Sequence, residues 1–267
     1  MQTDRAKILA IANQKGGVAK TTTAINLSAA LAELGRKVLL IDLDPQGNAS
    51  TGLGVTVENR SRSVFDILLG EATVQDVAVQ SSAENVWVIP STPDLSSSDV
   101  ELHATARRVF LLRDALRQAL EAQSRFDFII VDCPPSLNLL TVNALVAADA
   151  VLVPLQCEFF ALEGLSQLLL TIREIRQTAN PDLRVEGVLL TMHDRRNNLS
   201  LQVERDARET LGDLVFRTVI PRNVRLSEAP SFAVPILTYD STSRGAKAYR
   251  AFAREFLKVE SLEPEEG

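Results

Sequence analysis

The run Asn13-Gln14-Lys15-Gly16-Gly17-Val18-Ala19-Lys20-Thr21-Thr22-Thr23 carries residue types that bind phosphate. It follows a short apolar stretch, residues 7–12, and opens onto an amphipathic segment, residues 21–34. In the order strand, glycine-containing loop, Lys-Thr, helix, backbone N–H groups converge on an anion and the helix N-terminus adds a favourable dipole. Gly16 and Gly17 would let the loop bend, Lys20 would set a point charge on the β- and γ-phosphates, and the Thr21 hydroxyl would ligate Mg²⁺. Val18, Ala19 and Thr22 complete the nucleotide-contacting run. Two carboxylates, Asp44 and Asp132, follow apolar runs at the place where open α/β sheets bind their ligands.

Positioning these groups requires a particular scaffold. Strand-like runs at residues 7–12, 37–42, 86–90, 126–132, 150–155, 185–191 and 215–220 alternate with helical patterns at 21–34, 100–122, 164–177 and 199–211. Several of the runs are nearly continuous in Ile, Val and Leu, as strands buried on both faces of a parallel sheet must be. The expected fold is therefore α/β: one doubly wound, mostly parallel sheet flanked by helices. Residues 1–258 read as one domain and 259–267 as an acidic tail. The segment 52–98 is the least regular, and Ser96-Ser97-Ser98-Asp99 reads as a loop capping a long helix from about residue 100.

Composition narrows the function. The chain of 267 residues is 46% apolar, 23% charged and 5% aromatic, enough apolar material for a substantial core. Two cysteines, Cys133 and Cys157, supply neither a disulfide framework nor a four-thiolate site. Two histidines, His103 and His193, are too few for a zinc cluster and read as ordinary surface or loop side chains. No secretory signal follows the charged N-terminus, and the most apolar stretch, 144–155, is broken by Asp149 and Pro154, so a cytoplasmic protein is expected. The net charge is −6, but residues 195–254 hold 11 Lys and Arg against 6 Asp and Glu, while the remainder holds 17 against 28. An acidic body with a basic C-terminal quarter fits a protein that offers one face to a polyanion, although solvated helix faces would leave the same count.

The phosphate run departs from the ordinary G-x-x-x-x-G-K-[ST] loop: Gln14 stands at the first glycine and Lys15 precedes the glycine pair. In this form it resembles the deviant Walker A motif of the ParA/MinD family of ATPases. The resemblance extends to Asp42-Leu43-Asp44-Pro45-Gln46-Gly47-Asn48 as switch I and to Asp132-Cys133-Pro134-Pro135-Ser136 as Walker B and switch II. It continues through residues 154–158 and 189–192, and through the stretch 220–231, which is similar to the Soj-like chromosome-partitioning ParA branch. The matches run over nearly the whole chain.

The resemblance implies a partitioning ATPase using ATP and Mg²⁺. Lys15 would reach across a sandwich homodimer to the partner's phosphates, so that ATP holds two subunits together. Asp44 would orient the attacking water, and Asp132 would hold Mg²⁺ directly or through water. Pro221 and Asn223, in a late loop, are the adenine-recognition candidates. Double-stranded DNA would be bound without sequence preference by Arg196 and Arg225, extended by Arg195, Arg222, Lys247 and Arg250, placing the protein on the nucleoid. A ParB-like partner would stimulate hydrolysis and release. Ala19 departs from the family's usual glycine. If its φ is positive, the methyl group costs roughly 1 kcal/mol, and binding should survive. A MinD-type membrane ATPase, the competing reading, needs a basic amphipathic C-terminal helix, whereas residues 259–266 are acidic and contain Pro264. An iron–sulfur reductase would need Cys133 and Cys157 as ligands, and Cys133 reads instead as a small buried residue. A nucleotide-gated scaffold with negligible turnover, or positioning of another cargo, are the remaining alternatives. With only about a dozen residues before the loop, no helix-turn-helix is expected ahead of it.

Overall fold

A computed structural model describes residues 5–103, 105–121, 126–158 and 161–262. Its strands are β1 (Lys7–Ile11), β2 (Val38–Asp42), β3 (Val79–Gln80), β4 (Val86–Ile89), β5 (Phe128–Asp132), β6 (Ala150–Gln156) and β7 (Arg184–Thr191). They form one sheet in the order β3-β4-β2-β5-β1-β6-β7. Every pairing is parallel except β3 with β4, where the two-residue edge strand is antiparallel. The helices are α1 (Lys20–Glu33), α2 (Asn48–Gly52), α3 (Val64–Leu69), α4 (Val74–Val77), α5 (Ser98–Glu101), α6 (Leu111–Glu121), α7 (Leu139–Ala147), α8 (Ala161–Thr178), α9 (Asn198–Leu211), α10 (Val224–Glu228), α11 (Ile236–Tyr239) and α12 (Arg244–Leu262).

Two apolar clusters, one on each face, hold the layers together. On one, Ile8, Ala10, Leu39, Ile41 and Val131 of the strands meet Leu112 of α6, Leu145 of α7, Leu168 of α8 and Val203 of α9. On the other, Leu9, Ile11, Leu40 and Ile130 meet Leu27 and Leu31 of α1 and Tyr249, Phe252 and Phe256 of α12. Successive strand residues alternate between the clusters, so a continuous apolar run serves both faces. The doubly wound parallel architecture is as expected.

Three local readings need correction. Residues 215–220 do not form a strand. Val215 makes one isolated bridge to Val188, and only the amides of Phe216 and Ile220 donate to β7, at Val188 O (3.0 Å) and Leu190 O (2.8 Å). Between them the Glu255 carboxylate of α12 takes the amides of Arg217 (2.6 Å) and Thr218 (2.8 Å), which interrupts the ladder. The long helix expected over 100–122 is broken into α5, a 3₁₀ turn at Arg108–Phe110 and α6, with position 104 and residues 122–125 outside the described residues. Buried Asn143 of α7 supplies the reason: its Nδ2 donates to Arg108 O (2.9 Å) and its Oδ1 accepts from Leu112 N (3.2 Å), replacing intrahelical bonds. Ser96-Ser97 is likewise part of a 3₁₀ turn, Pro93–Ser97, and no serine side chain caps α5.

At the C-terminus, α12 runs to Leu262, into the segment read as an acidic tail; residues 263–267 lie outside the described residues. Its apolar stripe of Ala246, Tyr249, Phe252, Ala253 and Phe256 is wholly buried against the sheet and α1. Among the described residues no helix is long and apolar enough to cross a membrane.

Candidate active site

The loop that follows β1 is tied to two neighbouring strands. Asn13 Nδ2 donates to Pro154 O of β6 (2.8 Å), and Asn13 Oδ1 accepts from Lys15 N (3.0 Å). Thr191, at the end of β7, donates its hydroxyl to Val18 O (3.0 Å). α1 then begins directly on Lys20, with Ala19 as its N-cap at φ 69°, ψ 32°. A left-handed alanine there is the strained case anticipated from the sequence, and it costs about 1 kcal/mol relative to glycine. Ala19 and Thr22 line a cavity of about 320 Å³.

The charged groups at the loop differ in how they are held. Lys20 is 7% exposed and its Nζ donates to Lys15 O (3.0 Å). Burial lowers its pKa, opposed by Asp132, Cys133 and Asp44. Lys15, by contrast, points outward and pairs through Nζ with Glu158 Oε2 of its own chain (2.8 Å). The strand register sets Asp42 and Asp132 abreast at the carboxyl ends of β2 and β5, with Ile11 of β1 on the other side of Asp132. Asp42 is satisfied by Ser50, which donates its amide (2.8 Å) and hydroxyl (2.7 Å) to Oδ2, and by Asp44 N on Oδ1 (3.2 Å). Burial, only partly offset by those bonds, pushes its pKa up to about 6.

Asp132 is different. It is fully buried, and neither carboxylate oxygen has a hydrogen-bond partner among the described residues. Its pKa is raised well above the usual range, first by burial and then by Asp42 and Asp44. It is opposed by the nearby Thr21 hydroxyl, which approaches the carboxylate without completing a hydrogen bond, and by the charge of Lys20. An unpartnered buried carboxylate is costly in its charged form, a cost that either a proton or a bound cation relieves. A hard divalent cation held by carboxylate and hydroxyl oxygens, with Thr21 as the second donor, is what this pair fits. Asp44 lies in the turn beyond β2, partly exposed, where its Oδ1 accepts from Gln46 N (3.0 Å). Cys133, next to Asp132, is 1% exposed, and burial drives its thiol pKa upward, so it is an inert filler.

Pro221 and Asn223 line the same cavity as Ala19 and Thr22. Asn223 caps α10 by accepting from Arg225 N (2.9 Å). The 193–196 and 221–225 loops run abreast: His193 N donates to Ile220 O and Arg222 N to His193 O, both at 3.0 Å. That the two loops run abreast is not legible in the sequence, and His193 is not a surface residue: it is 4% exposed with Nε2 2.8 Å from Glu204 Oε2 of α9. His103 is exposed beside Arg108, as expected.

The basic residues divide into two groups. Arg195, Arg196, Arg222, Arg225 and Lys247 are exposed. Arg196 rests on Asp194 (3.2 Å), and Arg225 on Glu228 (2.9 Å) and Asp240 (3.6 Å). Arg250 is instead clamped, donating to both oxygens of Glu33 of α1 (2.6 and 2.8 Å) and to Ser241 O (2.6 Å). It fastens α12 to α1.

A strand-capping phosphate loop, a buried lysine and an orphaned carboxylate beside a threonine define a P-loop ATPase that uses ATP and Mg²⁺. Comparison with known proteins agrees. Residues 6–185 match the AAA domain family model. The chain is 56% identical over 260 residues to the chromosome partitioning protein ParA of Caulobacter vibrioides, covering 97% of each chain. It is 53% identical over 250 residues to the sporulation initiation inhibitor protein Soj of Bacillus subtilis, covering 93% of this chain and 97% of that one. Among solved structures, cobyrinic acid a,c-diamide synthase from Mycobacterium smegmatis with bound ADP and magnesium superposes with TM-score 0.82 at 39% identity, covering 96% of both chains. The chain belongs to the ParA/MinD family of ATPases, in its Soj/ParA branch.

Proposed function

We propose that this protein is a DNA-partitioning ATPase that cycles between a monomer and an ATP-bound sandwich dimer. The observation that carries the hydrolytic part is the buried, unpartnered Asp132 carboxylate beside Thr21 and Lys20. In this reading the amides from Gly16 to Thr22 and the Lys20 ammonium would hold the β- and γ-phosphates, while Thr21 and Asp132 would hold Mg²⁺. The metal supplies charge neutralisation at the phosphate oxygens. Asp44 orients water in line with the γ-phosphorus; the new P–O bond forms as the bond to the β–γ bridging oxygen breaks, ADP leaves with that oxygen, and the water's protons leave on the phosphate. Catalysis is positioning and electrostatics, without a covalent intermediate.

Lys15 is the group assigned to the partner subunit's nucleotide. Its outward position supports that role, and Glu158 must release it, since the Glu158 carboxylate would repel a partner's phosphates brought against the same ammonium. Exposed ion pairs of this kind contribute on the order of 0–1 kcal/mol, so the release is cheap. Pro221 and Asn223 are assigned to the adenine because they share the cavity beside Ala19 and Thr22.

Arg195, Arg196, Arg222 and Arg225, brought abreast by the 193–222 backbone bonds, are assigned to duplex phosphates, with Lys247 extending the patch. Arg250 is left to its structural clamp. Phosphate contacts of this type give affinity without sequence preference. The cargo is a chromosome or plasmid marked by a ParB-like protein that stimulates hydrolysis, and the ATP form sits on the nucleoid. A lipid-bound role is disfavoured because the apolar stripe of α12 is spent on the core.

Asp44→Ala tests the cycle. Turnover should fall by about 100-fold while ATP still drives dimerisation, leaving a trapped DNA-bound dimer. A variant that stays monomeric with ATP would contradict the assignment.

A further inference from the structure

Arg60, between α2 and α3, makes no hydrogen bond or ion pair with the phosphate loop among the described residues, yet its guanidinium gathers the whole segment around Asp44. Nε and Nη2 donate to Val55 O (3.2 and 2.9 Å), Nη1 to Ser91 O (3.1 Å), and Nη2 also to Thr51 Oγ1 (2.7 Å) and Gly47 O (3.3 Å). Among the described residues no carboxylate lies within ion-pair distance of it. A half-buried arginine whose rigid fork is filled by three carbonyls and a hydroxyl acts as a cross-brace.

The braced points converge on the turn that carries Asp44. Gly47 closes that turn by donating its amide to Asp44 O (2.9 Å), and its own carbonyl also accepts from Thr51 N (3.0 Å) and Thr51 Oγ1 (3.1 Å). Gly47 has φ +64°, and a Cβ there would run into Nη1 of Arg60, so the glycine and the arginine fit each other. Ser91, the second anchor, donates its amide to Ser50 Oγ (3.2 Å), the same hydroxyl that donates to Asp42 (2.7 Å). Among the described residues the Asp44 carboxylate itself is held only by Gln46 N, within the turn. Its direction therefore depends on the rigidity of a loop fixed at its far end by Arg60.

We propose that Arg60 is a positioning residue for hydrolysis, holding the turn at Gly47 so that Asp44 stays aligned on the attacking water. The proposal rests on the assignment of Asp44 to that water. Because Arg60 touches no nucleotide-binding residue, its loss should appear in kcat and not in KM.

The test compares steady-state ATP turnover of the full chain, with Mg²⁺ and duplex DNA, for the parent, Arg60→Ala, Arg60→Lys, Asp44→Ala and the double variant. Arg60→Ala should lower kcat about tenfold with KM for ATP within about twofold, since small misplacements at a reacting centre are costly. Arg60→Lys, which keeps one donor to the carbonyls, should recover part of the loss. In the Asp44→Ala background, Arg60→Ala should change the residual rate by less than about twofold, because the two act through one group. Melting temperatures are measured alongside; if Arg60→Ala melts below the assay temperature, Arg60→Lys carries the test, with a reduced kcat at near-parental melting expected. Unchanged kcat in a folded Arg60 variant while Asp44→Ala is slow would overturn the proposal alone, as would an additive loss in the double variant. Full turnover by Asp44→Ala would overturn the Asp44 assignment and the proposal with it.

Discussion

Lys20 and Arg196 are both cations assigned to phosphate, and their surroundings are opposite. Lys20 is 7% exposed, fixed on a backbone carbonyl, and sits among Asp132, Cys133 and Asp44. The Arg196 side chain is 92% exposed and rests on Asp194, two residues away. The first arrangement makes each group's geometry decisive, because low local dielectric amplifies both a correct contact and an unmet one. The second makes each group weak and replaceable: an exposed pair contributes little, and phosphate can displace Asp194 at small cost. One chain therefore keeps a site of few strong, position-critical charges and a separate surface of many weak, additive ones. On the proposed reading, chemistry uses the former, and reversible nonspecific adhesion to DNA uses the latter.

The contrast can be broken from either side. The larger effect is expected at the surface, where charge reversal would act in both protomers of the proposed dimer. Arg225→Glu should lower affinity for duplex DNA by about 10- to 100-fold on every sequence and flatten its salt dependence, with ATP-driven dimerisation intact. A gel-shift series on two unrelated duplexes at several salt concentrations checks this, and loss confined to one sequence would show that the patch reads bases. The smaller effect lies in the buried site. Ala19→Gly relieves the left-handed strain at the N-cap of α1 and should raise unfolding stability by up to about 1 kcal/mol. Denaturant melts with and without nucleotide measure it; a destabilised glycine variant would mean that the alanine methyl contributes packing that outweighs the strain.

The parts legible in the sequence were those governed by local pattern. Continuous Ile, Val and Leu runs located six of the seven strands, and the loop from Asn13 to Thr23 disclosed its helix because Lys-Thr follows a strand and opens an amphipathic stretch. What sequence could not supply were partners far along the chain. Residues 215–220 carry a strand-like pattern, but Glu255 of α12 takes two of their amides. The pattern over 100–122 is helical, but Asn143 of α7 splits it. Strand β3 is two residues long and carries no periodicity. One signal was present and unused: Ala246, Tyr249, Phe252, Ala253 and Phe256 fall at helical spacing, which marks α12 as a core helix. In the site, residue type and spacing pointed to Lys20, Thr21, Asp44 and Asp132. They could not separate the satisfied Asp42 from the unpartnered Asp132, since that difference is made by Ser50. Arg60 was invisible for the same reason: backbone carbonyls have no sequence signature.

The central claim is that nucleotide in the buried site controls adhesion at the exposed one. Its most direct test is the elution volume of the full chain with ATP and Mg²⁺, with ADP and Mg²⁺, and without nucleotide, each with and without duplex DNA at low and high salt, using Lys20→Ala as the blank. The account predicts a dimer with ATP alone among these conditions, DNA carried by that dimer only, and DNA lost as salt is raised. A size indifferent to nucleotide, or DNA bound equally with ADP and by Lys20→Ala, would contradict it.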